Sequence, residues 1–146
     1  MSEPKRVLFV CIGNACRSQM AQAFARANGS DVLVASSAGL FPAKALPPDT
    51  LRAMKEKNLD LSGQVPKSLV DLDGAKFDLI LNMSGFPLPP LSGAAVREWQ
   101  VPDPVVMDYK GHCAVRDQIE KLVMNLILEL RPIEKQQAGK IRPRKP

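Results

Sequence analysis

Four consecutive apolar residues, Val7, Leu8, Phe9 and Val10, follow the charged pair Lys5 and Arg6 near the start of the chain. An unbroken apolar run of this length predicts a strand covered on both faces in a parallel sheet. Met20, Ala23, Phe24 and Ala27 then recur at helical spacing, and Gly29 supplies a stop. Residues 31–39 (DVLVASSAG) predict a second strand ending in a small polar turn, and residues 41–49 (FPAKALPPD) a loop. Pro47, Pro48 and Asp49 predict a helix entry, with Leu51, Met54 and Leu59 on its buried face. Further on, residues 68–75 predict a short helical turn, 77–83 (FDLILNM) a third buried strand and 86–93 a proline-rich loop. A shorter fourth strand is expected over 96–101, and a loop over 101–113. Val115, Ile119, Leu122, Val123, Leu126, Ile127 and Leu130 keep a 3.6-residue period and predict the last helix.

Strands alternating with helices imply an α/β fold: a three-layer α/β/α arrangement around a four-stranded parallel sheet. Ligands in such folds bind at the carboxyl ends of the strands. The loop after the first strand, Ser36 and Ser37 after the second, Asn82 to Ser84 after the third, and the 101–113 loop are expected to converge on one edge.

With 146 residues and 45% hydrophobic side chains, the chain has the size of one globular domain, expected over residues 1–130. The net charge of +5 suggests a nucleic-acid partner only until it is located. Residues 131–146 carry six basic side chains against the single acid Glu134, which is the whole excess. That segment, with Pro132, Gly139, Pro143 and Pro146, predicts a flexible basic tail on a neutral body. Its expected role is solubilising, with a weak polyanion contact as the alternative. Residues 1–6 lack the apolar core of a signal peptide, and Asn125 and Glu129 interrupt the longest apolar stretch, so neither export nor a membrane is expected. Three cysteines with no metal-type pairing, and one histidine, His112, predict no metal site and fit a reducing cytoplasm. His112 is expected at the surface or at a helix entry.

The candidate chemistry lies between the first strand and its helix, in Cys11-Ile12-Gly13-Asn14-Ala15-Cys16-Arg17-Ser18. A helix N-terminus presents unpaired N–H groups, so the backbone of residues 12–17 is expected to cradle an oxyanion. The helix end and Arg17 favour Cys11 as a thiolate nucleophile. A Cys-x5-Arg spacing is common by chance; the strand-loop-helix setting is what makes this one informative. Arg17 can hold two oxygens of a tetrahedral anion at once. Gly13 allows close backbone approach, and Asn14 tolerates the left-handed conformation such a loop needs. Ser18 is placed to hydrogen-bond the Cys11 sulfur. Displacing an alcohol from phosphorus also needs a proton donor. Asp103, held between Pro102 and Pro104, is the first candidate, and Asp108 the competitor.

These residues, together with SSAG at 36–39, PPDTLRAMKEKNLDLSG at 47–63, FDLILNM and VPDP at 101–104, resemble the low-molecular-weight protein tyrosine phosphatases and the thioredoxin-coupled arsenate reductases that share their fold. The resemblance spans roughly residues 5–130. It implies a phosphocysteine intermediate on Cys11, anion binding by Arg17, and Asp103 as acid and then base. It implies that Asn14, Ser18 and Ser37 hold the loop by hydrogen bonds, that Cys16 can bond reversibly to Cys11 under oxidation, and that no cofactor is required. Val105 and Val106 stand where eukaryotic members carry an aromatic pair, and Phe41 is expected to stack on a substrate ring, with a place in the core or at the rim as the alternatives. The activity expected is hydrolysis of phosphomonoesters, on a phosphorylated protein or a small aryl phosphate. The alternative is arsenate reduction with a thiol reductant. The thioredoxin-coupled relatives use two cysteines after the third strand, where this chain has Asn82-Met83-Ser84-Gly85; only Cys16 and Cys113 remain for a relay. A non-catalytic phosphate-binding module is the third possibility, disfavoured because binding alone needs neither Cys11 nor Asp103.

Overall fold

Strand β1, Lys5–Cys11, is buried at every residue from Val7 on, as its continuous apolar run requires. Side chains alternate across a strand. Val7, Phe9 and Cys11 therefore join the larger apolar cluster on one face, while Leu8 and Val10 join a smaller one on the other. The computed structural model describes residues 3–72, 76–89 and 93–132. Their strands β1, β2 (Leu33–Gly39), β3 (Leu79–Asn82) and β4 (Ala95–Glu98) form one fully parallel sheet in the order β2-β1-β3-β4.

Helices α1 (Arg17–Asn28), α2 (Pro48–Lys55) and α3 (Tyr109–Leu130) cover the larger face. Met20 and Phe24 of α1, Met54 of α2, and Ile119, Val123 and Ile127 of α3 pack there with Phe9 and Leu81. Burying each such large side chain contributes about 1.5–3 kcal/mol. The opposite layer is thin: Leu69 of the 3₁₀ turn Leu69–Leu72 closes over Leu8, Val10 and Ile80, with Phe77 and Leu88 at its margin. This is the expected α/β fold, with its third layer reduced to a turn and loops.

Two local expectations change and a third narrows. β4 is exposed along its whole length, so it is a sheet edge and starts and ends earlier than expected. Helix α3 begins at Tyr109, because the Asp108 carboxylate accepts a hydrogen bond from the Gly111 amide at 2.9 Å and caps the first turn. Residues 109–113 are thus helix, not loop, and Asp108 is a cap. His112 lies in the first turn of α3, the helix entry that was one of its two expected places, but it is only 2% exposed and sits at the α2–α3 contact, which excludes the surface alternative. The expectations for residues 73–75, 90–92 and the tail beyond 132 lie outside the described residues.

Candidate active site

The site lies at the carboxyl end of β1, flanked by the ends of β2 and β3. Residues 12–16 make a loop that closes back on the segment after β2: Leu40 N–H donates to the Cys11 carbonyl (3.2 Å), Phe41 N–H to that of Ile12 (2.8 Å) and Ala43 N–H to that of Gly13 (2.9 Å). In a trans peptide the N–H points opposite to the C=O. With three carbonyls turned toward 40–43, the amides of Ile12, Gly13 and Asn14 are directed to the other side. Among the described residues the amides of 12–16 have no hydrogen-bond partner. A backbone of this kind is a cradle for an anion.

Asn14 adopts φ 50°, the left-handed conformation expected of it, and is fully buried. Its carboxamide ties the loop down: Oδ1 accepts from Lys67 N–H (2.7 Å) and Gln19 Nε2 (3.1 Å), while Nδ2 donates to Ser18 Oγ (2.8 Å). Ser18 Oγ stands 2.9 Å from Cys11 Sγ. Because Ser18 already accepts from Asn14, its own hydrogen is free to point at the sulfur of a Cys11 thiolate. Ser37 is also fully buried, but its hydroxyl has no partner among the described residues, so the expected tie from Ser37 to the loop is not made.

Arg17 reaches from the first turn of α1 across to the loops after β3 and β4. Its Nη1 donates to the carbonyls of Met83 and Val101, the latter at 3.0 Å, and its Nη2 lies 3.4 Å from the Asp103 carboxylate. Its Nε is buried without a partner among the described residues. A buried guanidinium N–H is a strong donor whose desolvation costs on the order of 1–3 kcal/mol unless something accepts from it. An oxyanion in the cradle is a fitting acceptor. A cleft of about 610 Å³ adjoins the guanidinium, walled by Met83, Trp99, Val101 and Pro102. Asp103 is part-exposed and caps the 3₁₀ turn Pro104–Val106 by accepting from Val105 N–H at 3.1 Å. Cys11, Ser18 and Asn14 therefore form one hydrogen-bonded group, and Arg17 with Asp103 a second, the two meeting at the adjacent residues Arg17 and Ser18.

Three residues of the site carried no sequence signal that identified them. Gly39 lies against the loop: a Cβ there would stand 2.7 Å from Asn14 N and Ile12 O, which are backbone atoms that cannot yield cheaply. Gly39→Ala is expected to displace the loop and lower kcat/KM by about 10²-fold, the scale of an ångström-sized misplacement; wild-type kinetics in this variant would show that the loop tolerates the shift. Gly13, by contrast, would make only ordinary contacts with a Cβ, its nearest neighbour being Ala43 at 3.6 Å. The other two residues are Thr50 and His112. The Thr50 hydroxyl donates to Cys16 Sγ (3.2 Å) and lies 3.0 Å from His112 Nδ1. Burial pushes the Cys16 thiol up to about 11, opposed by the Thr50 hydrogen bond. Cys113 sits one residue beyond His112, half-buried, with the Arg116 guanidinium 3.7 Å from its sulfur. Phe41, Val105 and Val106 are exposed, which puts Phe41 at the rim and not in the core. Among the described residues no group of ligating side chains could hold a metal ion, and no helix is long and apolar enough to cross a membrane.

The chain belongs to the low molecular weight phosphotyrosine protein phosphatase family, whose model matches residues 6–87. It is 32% identical over 130 residues to the glutaredoxin arsenate reductase of Synechocystis sp. (strain ATCC 27184 / PCC 6803 / Kazusa), covering 86% of this chain and 98% of the relative. A solved arsenate reductase in its oxidized state superposes with a TM-score of 0.79 at 30% identity, covering 87% of this chain and 99% of that one. A low molecular weight protein tyrosine phosphatase from T. tengcongensis gives 0.71 at 29% identity, covering 86% and 99%.

Proposed function

We propose that the protein reduces arsenate to arsenite, with Cys11 as the nucleophile and thiols as the source of electrons. The observation that carries this is the near full-length similarity to a protein named as a glutaredoxin arsenate reductase, joined to a site built for one tetrahedral oxyanion. In the first step Cys11 Sγ attacks arsenic(V) and a hydroxide leaves as water, giving a Cys11–S–As(V) ester. Arg17 Nε and the loop amides hold the remaining oxygens, and Asp103 is the acid that protonates the departing hydroxide. A second thiolate then attacks Cys11 Sγ. The S–As bond breaks, its electron pair stays on arsenic, and arsenite leaves as a disulfide forms. An external thiol of the glutaredoxin or glutathione class resets the enzyme. A sulfur cycle of this kind suits the reducing cytoplasm, and all three cysteines of the chain are free. The test is separation of arsenite from arsenate after incubation with a thiol: the proposal expects arsenite in amounts exceeding the enzyme, and none above the thiol-only blank would overturn it.

Hydrolysis of phosphomonoesters is the second reading. The Asp103 carboxylate favours it, 3.4 Å from the guanidinium that would bind the phosphoryl group and so within reach of a leaving alcohol. Asp103→Asn is expected to lower turnover by about 10²–10⁴-fold where the leaving oxygen is basic, and by less for a nitrophenolate, which needs little protonation. Asp108→Asn keeps a good helix cap and is expected to leave turnover near wild type. A profile over leaving-group pKa checks both, and the reverse pattern would transfer the acid role to Asp108.

A further inference from the structure

Cys16, Thr50 and His112 come from three separate elements: the loop after β1, the first turn of α2 and the first turn of α3. All three are buried, at 4%, 0% and 2% exposure. They form a single file, Cys16 Sγ to Thr50 Oγ1 at 3.2 Å and Thr50 Oγ1 to His112 Nδ1 at 3.0 Å. A hydroxyl has one hydrogen. When Thr50 donates to Cys16, Nδ1 of His112 must donate to Thr50; when Cys16 is a thiol donating to Thr50, the Thr50 hydrogen points at a bare Nδ1. The two arrangements differ by one proton moved along the file. Nothing in anion binding by Cys11 and Arg17 uses it.

We propose that Thr50 and His112 form a relay that takes the proton from Cys16, so that Cys16 is the thiolate that attacks Cys11 Sγ and closes a Cys11–Cys16 disulfide. In the arsenate cycle, on whose proposed chemistry this step rests, the Cys16 proton passes to Thr50 Oγ1 as the Thr50 hydrogen passes to His112 Nδ1. The new S–S bond forms, the S–As bond breaks with its pair going to arsenic, and arsenite takes up a proton from water. Two sulfurs are oxidised and arsenic(V) is reduced to arsenic(III). An external thiol then attacks the bridge, and Cys16 leaves as a thiolate that recovers its proton from the relay. The need for such a device follows from the burial of Cys16: a thiol pushed up to about 11 is almost wholly protonated near neutral pH, and only thiolate attacks. Because the chain has no cysteine over residues 82–89, Cys16 is the thiol in the same short loop as the nucleophile.

The test follows bridge closure in the full-length protein in two arms: one equivalent of hydrogen peroxide, which converts Cys11 to a sulfenic acid, and one turnover of arsenate without external thiol. Samples quenched with N-ethylmaleimide are mapped for the bridge. Thr50→Val removes the hydroxyl at constant shape. His112→Asn keeps an N–H near the Nδ1 position, and so the structural tie between α2 and α3, but cannot take up a proton. Thr50→Ser keeps the relay. The expected result is closure slowed by about 10²-fold in Thr50→Val and His112→Asn, the lower end of a general-base contribution, with Thr50→Ser restored to within severalfold of wild type. Oxidation of Cys11 by peroxide is expected at the wild-type rate in all of them, and dimedone is expected to trap more of the sulfenic acid in Thr50→Val and His112→Asn, where closure no longer outruns it. Wild-type closure in His112→Asn, or a bridge from Cys11 to Cys113, would overturn the relay. If the peroxide arm behaves as expected but no variant, nor the wild type with external thiol, forms arsenite, the relay stands and the arsenate proposal alone falls.

Discussion

Cys11→Ser is expected to abolish turnover on arsenate and on an aryl phosphate alike, by roughly 10⁴-fold or more. The oxygen of serine occupies nearly the same place and can keep the contact with Ser18 Oγ, which stands 2.9 Å from the sulfur it replaces. The cradle does not depend on that atom: the outward carbonyls of Cys11, Ile12 and Gly13 are held by the backbone of Leu40, Phe41 and Ala43. Inorganic phosphate is therefore expected to bind the variant within severalfold of its wild-type affinity, measured by calorimetry. Residual turnover of more than a few per cent would take Cys11 out of the reaction.

The second large effect is expected at Arg17. A lysine ammonium is a point charge and cannot reproduce the planar fork, so Arg17→Lys should lower kcat/KM by about 10²–10³-fold, comparable to losing a donor aimed at a developing oxyanion. The substitution also strips the buried Met83 and Val101 carbonyls of the Nη1 donor. Leaving such groups unpaired costs about 1–3 kcal/mol each, so the urea midpoint should fall as well. These two losses separate in one variant, because added phosphate restores stability only if the anion still binds. Unchanged phosphate affinity in Arg17→Lys would assign anion binding to the loop amides.

What was legible in the sequence was local. The run Val7 to Val10 specifies a strand buried on both faces, and the turn of sequence into α1 places Cys11, Asn14, Arg17 and Ser18 around one point with no long-range information. The identity of Asn14 foretold its positive φ. The apolar period of α3 was equally plain, but its first turn was not, since residues 109–113 carry no apolar period; the Asp108 cap was the signal available there. β4 left little trace because an exposed edge strand has no buried face to impose alternation. The rest depends on tertiary contact. Gly39 matters because the Asn14 loop lies on it, and His112 is buried because Thr50, 62 residues earlier, receives it. A lone histidine in a polar stretch gives no hint of such a partner. The choice between phosphate and arsenate is not written in the loop either, because both are tetrahedral anions that the same amides and guanidinium accept.

One preparation, assayed on arsenate and on 4-nitrophenyl phosphate with the same thiol present, tests the central claim most directly. The account predicts catalytic arsenite formation, dependent on thiol, with a kcat/KM for arsenate above that for the aryl phosphate. Steady release of nitrophenolate with no arsenite formed would contradict it and assign the Cys11 site to phosphomonoester hydrolysis.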